Sequence, residues 1–127
     1  MKIWVDDIRP APEGYVWCKS TNDTIRLIQL SNSRIEELME RGHNAFMERD
    51  SKARTTCYQH AKKWDIELID LDHDSGDFAY DGGDYIKVLD YIEANRLNYP
   101  IKLHSMNPVG LNNMRLIIEK NGWIEVK

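Results

Sequence analysis

Residues 66–74 run Ile-Glu-Leu-Ile-Asp-Leu-Asp-His-Asp, an apolar segment that ends in Asp70, Asp72, His73 and Asp74. Unpaired carboxylates in a low-dielectric interior cost several kcal/mol each, so a buried strand with this ending points to a site. Two other apolar runs end the same way. Ile3-Trp4-Val5 leads into Asp6-Asp7, and Ile101-Lys102-Leu103 leads into His104-Ser105. Three strands that end in polar groups can deliver them together into the crevice at the carboxyl edge of a parallel sheet.

Gathered at one edge, Asp6, Asp7 and Asp72 repel one another unless protonated or neutralised by a cation. An oxygen-only set favours a hard ion, Mg2+ first and Mn2+ next. The plainer alternative is that Asp6 or Asp7 caps the chain or pairs with Arg9. His73 and His104 end different strands, each beside a polar partner, Asp74 and Ser105. An imidazole can give and take a proton in one cycle, as phosphodiester chemistry requires, and Asp74 directly after His73 adds another negative charge to such a site. The same histidines could instead join the acids around a softer metal. Ser105, Asn107 and the helix start at Pro108 suit an anion such as phosphate, although Asn107 is also an ordinary helix cap. Arg9 is the nearest second phosphate contact, with an ion pair to Asp7 or Glu13 as its alternative.

The elements that position these groups follow from pattern. Residues 2–5 form a short buried strand, and Pro10, Pro12 and Gly14 exclude a helix directly after it. Tyr15–Lys19 is a second strand. The loop before it is shorter than the roughly 10–12 residues of a usual parallel crossover, so it runs antiparallel or sits outside the regular winding. Ser20 or Thr21 caps a helix to about Leu30, and Ser33-Arg-Ile-Glu36 fits a capping box that opens a second. Gly42 weakens the middle of that second helix. A third helix covers Ser51–Trp64, and nothing between Asn32 and Lys63 has a chemical pattern. Beyond the 66–74 segment, a turn-rich loop precedes a helix from Asp84 to about Leu97. A strand over 101–104, a helix opened by Asn107-Pro108 and closed by Gly122, and a strand at Trp123–Val126 complete the pattern. Strands alternating with helices indicate an α/β sandwich around a mostly parallel sheet.

The 127 residues suit one domain, with a helical insert at about 32–64. With 42% hydrophobic and 30% charged residues the chain has a globular composition, and its net charge of −4 argues against long nucleic acid. Cys18 and Cys57 are far apart and form no C-x-x-C. The charge at Asp6 comes too early for a secretory leader, and no run approaches the roughly 18 apolar residues of a membrane helix. A cytoplasmic protein with reduced thiols is the expectation.

The acid pair after the first strand, the acid after the third and the serine after the fourth resemble a response-regulator receiver domain. The receiver's lysine after the fifth strand has no clear match, Lys127 being the only candidate, and no fifth helix follows. Trp-Val-Asp-Asp-Ile-Arg-Pro-Ala-Pro at 4–12, Leu-Asp-His-Asp at 71–74, His-Ser-Met-Asn-Pro-Val-Gly at 104–110 and Asn-Asn-Met at 112–114 resemble the cyclic-phosphate-processing receiver-like family, a degenerate receiver group proposed to be phosphoesterases. The resemblance covers residues 3–19, 66–92 and 101–123. It implies a receiver-like, flavodoxin-like three-layer sandwich with roughly five strands, lacking the last helix. It also implies a metal-assisted phosphoesterase for a small cyclic phosphate or phosphodiester of a nucleotide. A non-catalytic signalling or ligand-binding module is the alternative. Asp70 competes with Asp72 for the receiver's acceptor position; the Leu-Asp-His-Asp match favours Asp72.

Overall fold

The computed structural model describes all 127 residues. In chain order the elements are β1 (Lys2–Val5), β2 (Tyr15–Cys18), α1 (Thr21–Met47), α2 (Ser51–Trp64), β3 (Leu68–Leu71), a 3-10 turn (Gly76–Phe78), α3 (Ile86–Ala94), β4 (Ile101–Leu103), α4 (Pro108–Asn121) and β5 (Glu125–Val126). The five strands form one sheet of order β2-β1-β3-β4-β5, and every neighbouring pair is parallel. The fold is a receiver-like, flavodoxin-like α/β fold with four α-helices. No helix is long and apolar enough to cross a membrane.

By internal contacts the chain divides into two compact units, Met1–Arg26 with Ile66–Lys127, and Leu27–Asp65. In the larger unit, strand periodicity sorts side chains onto two faces. Ile3, Val5, Ile69, Leu71 and Ile101 share one face and are fully buried. Together with Tyr85, Val88, Leu89 and Ile92 at α3 and Met114 and Ile118 of α4, they form the core. Each such side chain contributes roughly 1.5–3 kcal/mol on burial. The other face carries Trp4, Tyr15, Trp17, Asp70 and Lys102, in register across β2-β1-β3-β4, and only Asp70 among them is buried.

Two sequence expectations need correction. β2 runs parallel to β1, with Lys2 opposite Tyr15 and Val5 opposite Cys18. The short connection suffices because it contains no helix: it turns back over the β1 edge, where the Asp6 carboxylate holds the amides of Ile8 and Arg9. The two helices expected at 20–30 and 33–46 are one continuous helix, α1. Leu30-Ser31-Asn32-Ser33 contains no glycine or proline to break it, so Ser33, read as the cap of a second helix, lies inside α1, and Ser31 beside it donates its hydroxyl to the Trp64 carbonyl.

Within that smaller unit Gly42 has a packing role. A Cβ there would fall 2.3 Å from the Tyr58 ring, so the missing side chain lets α1 and α2 approach closely. The helix at 51–64 is present as read, opened by Asp50, whose carboxylate accepts from the Ala53 amide at 3.0 Å.

α4 begins and ends as its sequence dictates. Asn107 accepts from the Gly110 amide at 3.0 Å, Pro108 opens the first turn, and Gly122 closes the helix at φ +66°. A Cβ on Gly122 would meet nothing within 4 Å, so only backbone strain opposes a side chain there. Gly122→Ala is therefore expected to lower unfolding free energy by about 1–2 kcal/mol, read from the midpoint of a urea transition.

Candidate phosphate and metal site at the carboxyl edge of the sheet

Parity along the strands assembles the site. Trp4 in β1 with Asp6 just after it, Asp70 in β3 with Asp72 just after it, and His104 just after β4 all fall on one side of the sheet. Asp70 and Asp72 are therefore not alternatives, because a two-residue step returns to the same side.

His104 sits at the centre. Its Nδ1 meets Asp70 Oδ1 at 2.7 Å and its Nε2 meets Asp6 Oδ2 at 2.9 Å. The ring stacks on the Trp4 indole, with centroids 3.9 Å apart and planes within 4°. Trp4 in turn donates to the Arg9 carbonyl at 2.9 Å, and Arg9 donates to the His104 carbonyl at 3.1 Å. Asp6 and Asp70 are 1% and 3% exposed. Burial by itself would push the His104 pKa down, but the bonds to Asp70 and Asp6 outweigh it and hold the ring above its ordinary value. Burial likewise works against ionised Asp6, yet the amides of Arg9 and Ile8 and the His104 ring keep that carboxyl below the usual range. Asp7 moves the other way. Burial raises it, and the charges of Asp6 and Asp72 add to the rise.

A second chain of contacts lies beside the first. The His73 amide donates to Asp72 Oδ1 at 2.7 Å, and His73 Nδ1 meets Asp74 Oδ1 at 2.8 Å. Asn107 Nδ2 reaches both Asp74 oxygens at 3.3 and 3.4 Å. The ring of His73 lies against the first turn of α4, where a Cβ on Gly110 would fall 2.4 Å from it. Its Nε2 makes no hydrogen bond. Ser105 is buried, and its hydroxyl accepts the Asn107 amide at 3.0 Å. Arg9 is exposed and uses one guanidinium nitrogen on His104, leaving further donors open.

Asp6, Asp72 and His104 each bring a ligand-type atom within 4.8 Å of the others, as do His73, Asp74 and Asp84. The first group fits a hard cation only in part. His104 has a carboxylate on each ring nitrogen, and Asp6 already accepts two amides and the imidazole. The oxygens least committed to the protein are those of Asp7 and Asp72, the pair whose mutual repulsion a cation would relieve. Asp7 stands outside the 4.8 Å groups, and its carboxylate lies against Gly76, where a Cβ would fall 2.2 Å from it.

Sequence reasoning singled out neither Asp70 as the partner of His104, nor Trp4 as its stacking surface, nor Asp84, which binds the amide and hydroxyl of Ser75. The first two share strand parity with Asp6 and His104, a signal that could have revealed them. Asp84 lies beyond a loop and carries no such signal.

A five-stranded parallel sheet of this order, with acids and a serine at its carboxyl edge, defines a receiver-like domain. A family model described as "Cyclic-phosphate processing Receiver domain" matches residues 1–39 and 46–120, and the chain belongs to that family. The match extends through most of the helical pair at 27–65, which the motif resemblance had left out. No curated protein and no solved structure matches the chain.

The contacts of His104 with its two acids make stability depend on pH. His104, raised above its ordinary 6.5, contributes stability that is complete below that pH and is lost as pH rises through the raised value. Asp6, lowered from 3.8, contributes stability present above that value and lost as pH falls through the lowered one. In metal-free buffer the melting temperature should therefore fall as pH climbs above the ordinary histidine range. His104→Gln should flatten that alkaline decline.

Proposed function

We propose that this domain is a phosphoesterase that opens a small cyclic phosphate, or cleaves a small phosphodiester, of a nucleotide, with His73 as the proton-transfer group. One observation carries the assignment. His73 has Nδ1 fixed by Asp74, Asp74 is held by Asn107, and Nε2 is left free, whereas both nitrogens of His104 are taken by carboxylates. A base oriented through one nitrogen and open at the other is the arrangement that general acid–base catalysis requires.

In this reading Arg9, Ser105 and Asn107 hold the phosphate. His73 Nε2 takes a proton from the attacking water as the new P–O bond forms. The proton then goes to the alkoxide released when the ester P–O bond breaks, so the products are a phosphomonoester and a free hydroxyl. His104 moves no proton; it holds Asp6 and Asp70 in place. Asp7 and Asp72, beside Asp6, would hold Mg2+ or Mn2+, which supplies charge on the phosphoryl oxygen and a more acidic water. The two free thiols, Cys18 buried with its pKa pushed up to about 11, support a reducing compartment such as the cytoplasm.

A non-catalytic, ligand-binding receiver is the second reading. It is favoured by His104 itself, which already neutralises part of the acid cluster without any bound cation.

Turnover separates the two readings. With 2′,3′-cyclic mononucleotides and Mg2+ or Mn2+, His73→Ala should lower the rate by about 10²–10⁴-fold. No turnover by the unaltered protein across cyclic mononucleotides, ADP-ribose cyclic phosphate and cyclic dinucleotides would leave the binding module. The metal is tested separately by melting. A cation at ~100 times its dissociation constant should add roughly 2.7 kcal/mol of stability over EDTA. Asp72→Ala should remove that gain while the metal-free melt stays close to that of the parent protein, and equal melts with and without metal would sink the metal assignment.

A further inference from the structure

The side of the sheet that carries Trp4 and Asp70 has a composition the catalytic reading does not use. Across β2 and β1 lie Tyr15, Trp17 and Trp4, and around them lie Lys2, Lys19 and Lys102. Trp17 is 37% exposed, Lys2 and Lys19 are exposed, and Trp4, Tyr15 and Lys102 are half-buried. Trp4 meets Tyr15 edge to face at 6.1 Å. The Lys2 ammonium lies 5.6 Å from the Tyr15 ring centre and the Lys19 ammonium 4.5 Å from that of Trp17. None of these three lysines pairs with a carboxylate; the lysine ion pairs of the chain belong to Lys87, Lys120 and Lys127. The acids on this side lie toward its carboxyl edge: Asp6 and Asp70 are buried and bound to the His104 ring, and Asp72 is half-buried beyond the end of β3. A chain of net charge −4 thus has, across the strands themselves, a sheet face whose exposed charge is positive and whose rings are partly open, with the acids confined to its carboxyl edge.

We propose that this face binds single-stranded nucleic acid, with bases stacked on Trp17 and Tyr15 and phosphates on Lys2, Lys19 and Lys102. Exposed aromatic residues on a sheet accept any base through its π-face, and neighbouring cations supply the backbone contacts. The two lysines now over rings hold surface cation–π contacts of about 0.5–1 kcal/mol, weak enough to exchange for phosphate oxygens. The span from β2 to β4 is three strand spacings, roughly 14 Å, which suits a short strand rather than a duplex. Trp17 also donates to the Asp6 carbonyl at 2.8 Å, so the face is continuous with the acid edge. The proposal goes beyond turnover and does not require it: a strand can bind here whether or not its phosphate is cleaved.

The test is fluorescence anisotropy of a labelled single-stranded hexaribonucleotide titrated with the intact chain at several salt concentrations. Saturable binding is expected, weaker for a duplex of the same sequence. Trp17→Ala should loosen it by about tenfold and Trp17→Phe much less. Lys2→Glu with Lys102→Glu should weaken binding and reduce the slope of log K against log salt by about 0.7 for each lysine. Turnover of a cyclic mononucleotide should be unchanged in the lysine variant, which separates failure of this proposal from failure of the catalytic one. Absence of binding at protein concentrations on the order of 10⁻⁴ M, or binding indifferent to the lysine variant, would overturn it. So would a dimer in sedimentation that Lys2→Glu with Lys102→Glu disperses, since the face would then belong to a second copy.

Discussion

Asp6 and Asp70 lie almost wholly out of water, and a single imidazole between them makes this tolerable. An uncompensated buried charge costs about 3–5 kcal/mol when its partner is removed. His104 spreads one positive charge over both acids through two short contacts, while Trp4 closes one side of the ring. Three strands meet through this contact, Asp6 following β1, Asp70 within β3 and His104 following β4. Arg9 ties the same ring's backbone to the β1–β2 connection. The carboxyl edge thus takes its geometry from one charged hydrogen-bonded unit, and the groups left over are available for ligands.

That division also explains why two histidines with similar surroundings in sequence receive different roles. His104 is symmetrical in its partners and has no ring nitrogen left. His73 is polarised, with a carboxylate on one nitrogen and none on the other. Its position is set by neighbours that have little choice: the Asp72 carboxylate that accepts its amide, the glycine in the first turn of α4, and an asparagine already committed as a helix cap. The loop that follows is anchored as well, because Ser20 and Asn22 at the start of α1 bind the Asp81 carboxylate and hold it below the usual range.

The helix-free connection between β1 and β2 has consequences on both sides of the sheet. It allows the Asp6 carboxylate to cap the two amides that follow, which keeps that acid ionised despite burial. It also leaves Tyr15 and Trp17 on an edge strand with their rings accessible. In a chain of the cyclic-phosphate processing receiver family, this puts an aromatic, lysine-bearing surface next to an acidic edge.

Much was legible in the sequence because it depended on local rules. Apolar runs of three or four residues ending in acids located β1, β3 and β4, and Asn107-Pro108 with Gly122 fixed the start and stop of α4. The motifs around Asp6, Asp72 and His104 were enough to indicate the family. What sequence could not decide depended on partners distant along the chain. β2 is parallel because the sheet offers it an edge that its short connection can reach, and α1 runs on through residues 30–33, where Ser31 meets the distant Trp64 carbonyl. Asp70 and Asp72 looked like rivals in one dimension and are neighbours on one face in three. Whether a histidine balances charge or keeps a nitrogen free depends on which carboxylates reach its ring. Here those carboxylates are Asp6 and Asp70 for His104 and Asp74 for His73, a distinction made only by the packing of strands far apart in the chain.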